Sequence, residues 1–389
     1  MTLYSSSHGG ERRERLYLDH NATSPLRPAC CDAMLEAMEA PRNPSSVHAE
    51  GRAAKQMLER ARKTVADSIS APVQSVVFTS GGTESDHLGV LGVVRGGPKV
   101  RRIFVTATEH PAVPAAAAKA GVPVETVPVL TDGTLDLAWL EERLARYDAQ
   151  TEGPFLLCAM LANNETGVIH PIAEAARIVR RAGGYTLVDA VQALYKVEID
   201  FSTLGADMLA LSAHKAGGPV GVGALVVTPG LGIEPTQGGG GQEENRRAGT
   251  HNIPAIAGFG KLAEVASVAE YQQLAVIRDR IEAGLPSGVR AHGTEAPRLP
   301  NTSLITALGF SSQTALMSLD LGGIAVSAGS ACSSGKVKKS SVLGAMGVPE
   351  EETQTALRIS LGWNTPEDAA ERFLSVWTGE YERIISRAA

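Results

Sequence analysis

Val76-Val77-Phe78-Thr79-Ser80-Gly81-Gly82-Thr83-Glu84-Ser85 reads as a strand that ends at a Ser-Gly-Gly-Thr turn and passes straight into a helix. The same unit recurs outward along the chain. Short β-branched runs lie at Arg102 to Thr106, Glu125 to Val129, Phe155 to Met160, Thr186 to Asp189, Met208 to Ser212 and Ala224 to Val227. Amphipathic helical patterns alternate with them, notably His48 to Ser68, Glu84 to Val94 and Ile172 to Ala182. This alternation specifies an α/β domain with a largely parallel sheet covered by helices. The loops at the C-terminal ends of its strands are where a ligand is expected.

The chain has 389 residues, enough for one large and one smaller domain. The Gly238-Gly239-Gly240-Gly241 segment interrupts the alternation, and a long helical pattern follows from about Pro254 to Asp279. The domain change is placed near there, giving a large domain over 17–260 and a small α+β domain formed by 1–16 with 261–389. Strand candidates in the latter are Thr302 to Thr306 and Leu357 to Leu361, with helices near Thr314 to Leu321 and Pro366 to Trp377.

A formal charge of -6 offers no electrostatic reason to bind nucleic acid or an anionic membrane. The opening residues are polar without an apolar signal region, and no apolar run is long enough to cross a bilayer. Cys30, Cys31 and Cys158 have neither zinc-ligand nor disulfide-scaffold spacing and read as small apolar residues of a reducing, cytoplasmic protein. No metal site is expected.

Several stretches carry chemistry. The turn before Thr83 exposes backbone N–H groups at a helix start, a cradle for phosphate; an ordinary glycine turn with a Thr N-cap is the plain alternative. Asp189 emerges at the end of an apolar strand, where its carboxylate suits a protonated pyridine nitrogen or simply caps the next helix. Gln192 follows it. Ser212-Ala213-His214-Lys215 offers a hydroxyl, an imidazole and an amine after another strand, and desolvation there would favour the neutral, nucleophilic amine able to hold a carbonyl cofactor as a Schiff base. His110 stands just after a strand, suited to ring stacking or proton transfer, and Asn164 lies in the polar turn Asn163 to Gly167.

A further stretch is Ser327-Ala328-Gly329-Ser330-Ala331-Cys332-Ser333-Ser334-Gly335-Lys336-Val337-Lys338-Lys339-Ser340-Ser341. Its small residues and nearby lysines favour an exposed, reactive thiolate at Cys332. Arg358, on an otherwise apolar strand, suits a two-pronged clamp on a carboxylate or an internal salt bridge.

With Tyr17 to Thr23, Asn43 to His48 and Gly239 to Thr250, these stretches resemble the cysteine desulfurases of the aminotransferase class V family of pyridoxal-phosphate enzymes, over nearly the whole chain. The resemblance implies the fold type I of pyridoxal-phosphate transferases, with a mainly parallel seven-stranded sheet in the large domain. Lys215 would carry pyridoxal 5'-phosphate, Asp189 would pair with its ring nitrogen, His110 would stack on the ring and serve catalysis, and Gln192 would contact the ring oxygen. Gly82, Thr83, Ser212 and His214 would bind the phosphate, and Thr250 would reach the phosphate bound by the other subunit of a homodimer.

Asn164 and Arg358 would hold the carboxylate of L-cysteine, with Asn164 also near the cofactor, while Cys332 takes the sulfur as a persulfide and L-alanine leaves. The sulfur would pass to an acceptor protein, an iron-sulfur scaffold or a sulfur carrier. Selenocysteine lyase or another class V enzyme would share the cofactor residues and dispense with Cys332. His20 stands where the family often has an aromatic residue, and the chain stops soon after Trp377, so docking of a scaffold through a longer C-terminal tail is not expected.

Overall fold

The structure, a computed structural model, describes residues 15–40, 43–329 and 339–388. Its centre is a seven-stranded sheet of β1 (Val76–Thr79), β2 (Arg102–Thr106), β3 (Val124–Val127), β4 (Phe155–Met160), β5 (Tyr185–Asp189), β6 (Met208–Ser212) and β7 (Gly223–Val227). The strand order is β1-β7-β6-β5-β4-β2-β3. β7 runs antiparallel to both β1 and β6, and the remaining pairs are parallel.

Both faces of this sheet are covered, which explains why its strands read as apolar runs rather than as alternating ones. Period-two geometry sends Val76, Phe78, Leu157, Ala159, Leu209 and Leu211 into one core. Their neighbours Val77, Leu156, Cys158 and Met208 pack into a second core on the opposite face. The first core is closed by α1 (Pro28–Met38), α2 (Ala49–Asp67), α4 (Ile172–Arg181) and α5 (Ile253–Val265), the second chiefly by α3 (Gly82–Arg95). Cys30 and Cys158 are buried and Cys31 is half-buried, all as free thiols.

A four-stranded antiparallel sheet forms from β8 (Val289–Ala291), β9 (Thr302–Ala307), β10 (Ser327–Ala328) and β11 (Leu357–Ser360), in the order β10-β11-β9-β8. Its own core contains Ile305, Leu357 and Ile359, covered by α6 (Leu274–Ala283), α7 (Ser312–Leu321) and α8 (Ala369–Ala388). Leu16 and Leu18 also belong to this core, because the chain start pairs in parallel with Ile324 and Ala325.

The structure corrects two helix boundaries. The continuous pattern from Pro254 to Asp279 is broken, since Ala266 and Ser267 turn extended and Ser267 caps a new short helix through Glu270 N–H. The final helix runs on past Trp377 and Gly379 because Tyr381 is buried and Ile384 and Ile385 continue its apolar face.

Glu243, Glu244 and Asn245 have φ of 48°, 54° and 65°, left-handed values unusual outside glycine. The conformation is held from one side by Arg62, whose Nη1 and Nη2 donate to the Glu243 carboxylate at 2.6 and 2.9 Å. Phe78 N–H and His251 Nε2 donate to the same buried carboxylate at 3.0 and 2.7 Å.

Candidate active site

β1, β2, β4, β5 and β6 point the same way, so the loops after Thr79, Thr106, Met160, Asp189 and Ser212 leave one edge of the sheet together. They enclose a cavity of about 660 Å3 whose walls include Gly82, Thr83, His110, Asn164, Asp189, Gln192, Ser212, His214, Lys215 and Arg358. Ser327 on one side and Lys339, Ser341 and Val342 on the other also line it. Cys332 lies between these in sequence, outside the described residues. Thr250 is exposed and is not among the cavity residues of its own chain.

The first wall is the start of α3. The N-cap is Gly81, at φ 154°, so the helix begins at Gly82 and Thr83 sits inside its first turn rather than capping it. First-turn amides have no intrahelical acceptors and point toward an anion placed there. A side chain on Gly82 would meet Val191 Cγ2 at 2.6 Å, so only glycine lets this turn approach the Asp189 loop. Glu84 secures the turn by accepting from Ser80 N–H at 2.7 Å and pairing with Arg247 at 2.8 Å.

Asp189 is buried at the end of β5, accepting from Val191 N–H at 2.9 Å. Burial raises its pKa, opposed by that hydrogen bond and by the charge of Lys215. Two more carboxyls join it that the sequence patterns did not single out, Glu109, half-buried and lining the cavity, and Asp86, buried. Glu109 accepts from Met160 N–H at 2.6 Å and from the Thr106 hydroxyl, and burial followed by the charge of Asp189 pushes its pKa up to about 8. Asp86 is also raised well above the ordinary carboxyl range, by burial first and then by the charges of Asp189 and Glu109.

Lys215 follows β6 and is half-buried; its Nζ donates to the carbonyls of Asn21 and Ala22, each at 2.8 Å. Burial, and then the Arg358 charge, lower its pKa to about 8. His214, beside it, donates or accepts at Thr23 Oγ1 over 3.2 Å and is pulled down to about 4 by burial and the nearby lysines. His110 opens onto the cavity, and the chain packed around its ring and then Lys215 lower its pKa. Both imidazoles are therefore neutral at pH 7.

Arg358 reaches the cavity from β11. Its Nη2 donates to Asp19 Oδ1 at 2.8 Å and its Nη1 to the Asn164 carbonyl at 3.1 Å. Asn164 is presented by a tight turn in which Asn163 Oδ1 accepts from the N–H groups of Glu165 and Thr166, each at 2.9 Å. Glu165 lines the cavity and is raised to about 7, chiefly by burial. His20 is buried with Nδ1 at 2.7 Å from Ser24 Oγ, and its ring fills the space a side chain at position 362 would need, which is why Gly362 is there.

The sequence reading gave Asn21 and Lys196 no role. Lys196 is fully buried, and its Nζ donates to Asn21 Oδ1 and Gln192 Oε1, each at 2.9 Å. It lies four residues after Gln192, between Ala193-Leu194-Tyr195 and Val197, where no local pattern marks it as buried.

Residues 16–373 match the aminotransferase class-V family. The chain is 40% identical over 372 residues to a cysteine desulfurase of Cereibacter sphaeroides, with 93% of this chain and 95% of that protein covered. It is 38% identical over 381 residues to cysteine desulfurase IscS 1 of Archaeoglobus fulgidus, covering 95% and 98%. Among solved structures, a NifS-like protein from Rickettsia africae aligns with a TM-score of 0.87 at 33% identity, covering 95% of this chain and 100% of that one. SspA in complex with cysteine aligns with a TM-score of 0.77 at 27% identity, covering 89% and 98%. The cavity thus sits in a fold type I chain that belongs to the aminotransferase class-V family and, within it, to the cysteine desulfurases.

Proposed function

We propose that the cavity is where this cysteine desulfurase converts L-cysteine to L-alanine with pyridoxal 5'-phosphate bound to Lys215. The observation that carries the reading is the convergence on one cavity of a buried carboxylate, Asp189, and an amine of depressed pKa, Lys215. A cationic ring nitrogen fits the first and a carbonyl carbon the second. Among the described residues the buried Ser212 hydroxyl and Arg358 Nε have no hydrogen-bond partner, as groups awaiting a polar ligand do.

In this reading Gly82, Thr83, Ser212 and His214 hold the phosphate, His110 covers the ring and Gln192 faces its oxygen. Bound pyridoxal phosphate supplies an electron sink for the charge left at the substrate Cα. Lys215 Nζ would take the substrate Cα proton, and a neutral His110 is placed to shuttle a proton nearby. Arg358 and Asn164 orient the substrate carboxylate. The Cys332 thiolate bonds to the substrate Sγ as the Cβ–Sγ bond breaks, leaving a persulfide on Cys332 and, after proton uptake, L-alanine.

We further read the active form as a homodimer in which Thr250 serves the partner subunit's site. The persulfide then goes to an acceptor protein, in iron-sulfur cluster assembly. The test is reduction of the cofactor-loaded chain with borohydride followed by peptide mass analysis. A pyridoxyl group on Lys215 is expected, and its absence, or a visible cofactor band that survives Lys215→Ala, sinks the assignment.

A further inference from the structure

A neutral primary amine has two N–H groups and one lone pair. In Lys215 both N–H groups are matched by the Asn21 and Ala22 carbonyls at 2.8 Å, so the lone pair takes the direction left over. These carbonyls block the side toward residues 21 and 22, and Lys215 lines the cavity. A proton added to the nitrogen occupies that same direction.

The two carbonyls lie in a turn held at its base by β11, where His20 N–H and Asn21 N–H donate to the Ser360 carbonyl and hydroxyl at 3.2 and 3.0 Å. The Asn21 side chain adds the ties that face Lys215. Its Oδ1 accepts from Lys196 Nζ at 2.9 Å and from Asn301 Nδ2 at 3.2 Å, while its Nδ2 donates to Thr302 Oγ1 at 2.9 Å. Lys196 also donates to Gln192 Oε1 at 2.9 Å, and Gln192 Nε2 donates at 2.9 Å to the Asn21 carbonyl that receives Lys215. Lys196, Gln192 and Asn21 therefore close a ring of hydrogen bonds with Lys215 attached at one corner.

A fully buried lysine is an unusual choice for such a ring. Burial, and then the charges of Lys215 and Arg358, press its pKa far below the ordinary lysine value. Its Nζ has an N–H group for each of its two acceptors, Asn21 Oδ1 and Gln192 Oε1.

We propose that Lys196 is a positioning residue for Lys215: by fixing Asn21 it keeps two carbonyls on the Lys215 N–H groups and aims the nitrogen lone pair into the cavity. This rests on the reading of Lys215 as the amine that takes the cofactor.

Lys196→Met keeps the apolar stem and removes both donors. The full chain, stripped of cofactor, is mixed with pyridoxal phosphate and the growth of the visible band is timed across the neutral-to-alkaline range. The rate at its alkaline plateau is expected to fall about tenfold or more, as for a misaimed nucleophile, while the pH of half-maximal rate stays that of the wild type. Asn21→Ala should show the same loss, and adding Lys196→Met to it should cost nothing more.

An unchanged plateau in Lys196→Met overturns the proposal, as do losses that add in the double variant. A shifted half-maximal pH at an unchanged plateau also overturns it, because Lys196 would then act through charge. If Lys196→Met does not fold, Asn21→Ala decides alone, and a wild-type plateau there overturns the proposal. A wild-type chain that forms no band removes the reading of Lys215 itself; a wild-type band on Lys215 with unaffected variants removes only the role of Lys196.

Discussion

Arg358 Nη2 donates to Asp19 Oδ1 at 2.8 Å, while Nε of the same buried guanidinium has no partner among the described residues. The pair ties β11 to the chain start and leaves one donor unmatched on a group that lines the cavity. Arg358→Lys keeps the charge but loses the planar array of donors. The expected outcome is a fall in kcat/KM for L-cysteine of about tenfold to hundredfold, mostly through KM, for one or two charge-assisted hydrogen bonds. The cofactor band should not move; steady-state kinetics with an unchanged KM would disprove the clamp.

Lys215 is set at about 8 in the cofactor-free chain. The nucleophile is the neutral amine, so the rate of cofactor attachment should drop about tenfold for each pH unit below that value and level off above it. Stability follows the same shift with a definite sign. Between about 8 and the ordinary lysine value near 10.4 the unfolded chain binds more protons than the folded one, so folding stability rises with pH across that window. Urea unfolding of the cofactor-free wild type should show this rise, and Lys215→Met should lose it.

Cys332 has a prediction from sequence chemistry alone. Cys332→Ser should retain the cofactor band and stop the release of sulfide and alanine from L-cysteine under reducing conditions. Full alanine production by the variant would move the chain's chemistry toward a lyase that needs no thiol.

The Arg62–Glu243 pair makes a stability prediction. Burial would raise Glu243, but its hydrogen bonds from His251 and Arg62 win and hold it at about 2. Its contribution is therefore complete above the ordinary carboxyl value of about 4.3 and disappears as pH falls toward 2. Glu243→Ala leaves the Arg62 guanidinium buried without its anion and should cost about 3–5 kcal/mol at neutral pH. Urea midpoints should show the cost shrinking in acid; an equal cost near pH 3 would argue against the ion pair.

The sheet was legible because its strands declare themselves one at a time. Phe155 to Met160 is apolar on both faces, and Met208 to Ser212 ends in the residues that face the ligand cavity. Even the missed break after Val265 has a local sign, Ser267 three residues before Glu270, the pattern of a capping box, hidden by apolar continuity around it. Lys196 was illegible for a different reason. Its meaning depends on Asn21, 175 positions away in sequence, and no local pattern distinguishes a buried lysine from a solvated one. The Asp86 and Glu109 carboxyls are similar cases, because their protonation reflects Asp189 on a third element.

The segment from Leu16 to Arg27 bonds to elements made far later in the chain. Asn21 hydrogen-bonds Thr302, Asp19 binds Arg358 across 339 positions, and Arg27 N–H meets the Gly217 carbonyl. Loop closure over such separations is slow and comes late. On a ribosome, the large sheet through β7, with Lys196 and Gln192, can assemble before residues 302 and 358 have emerged. The Asn21 turn then has part of its hydrogen-bond frame and gains the rest, from Asn301, Thr302 and Ser360, only afterwards, so a chain cut before β9 would carry Lys215 on a less firmly held pair of carbonyls.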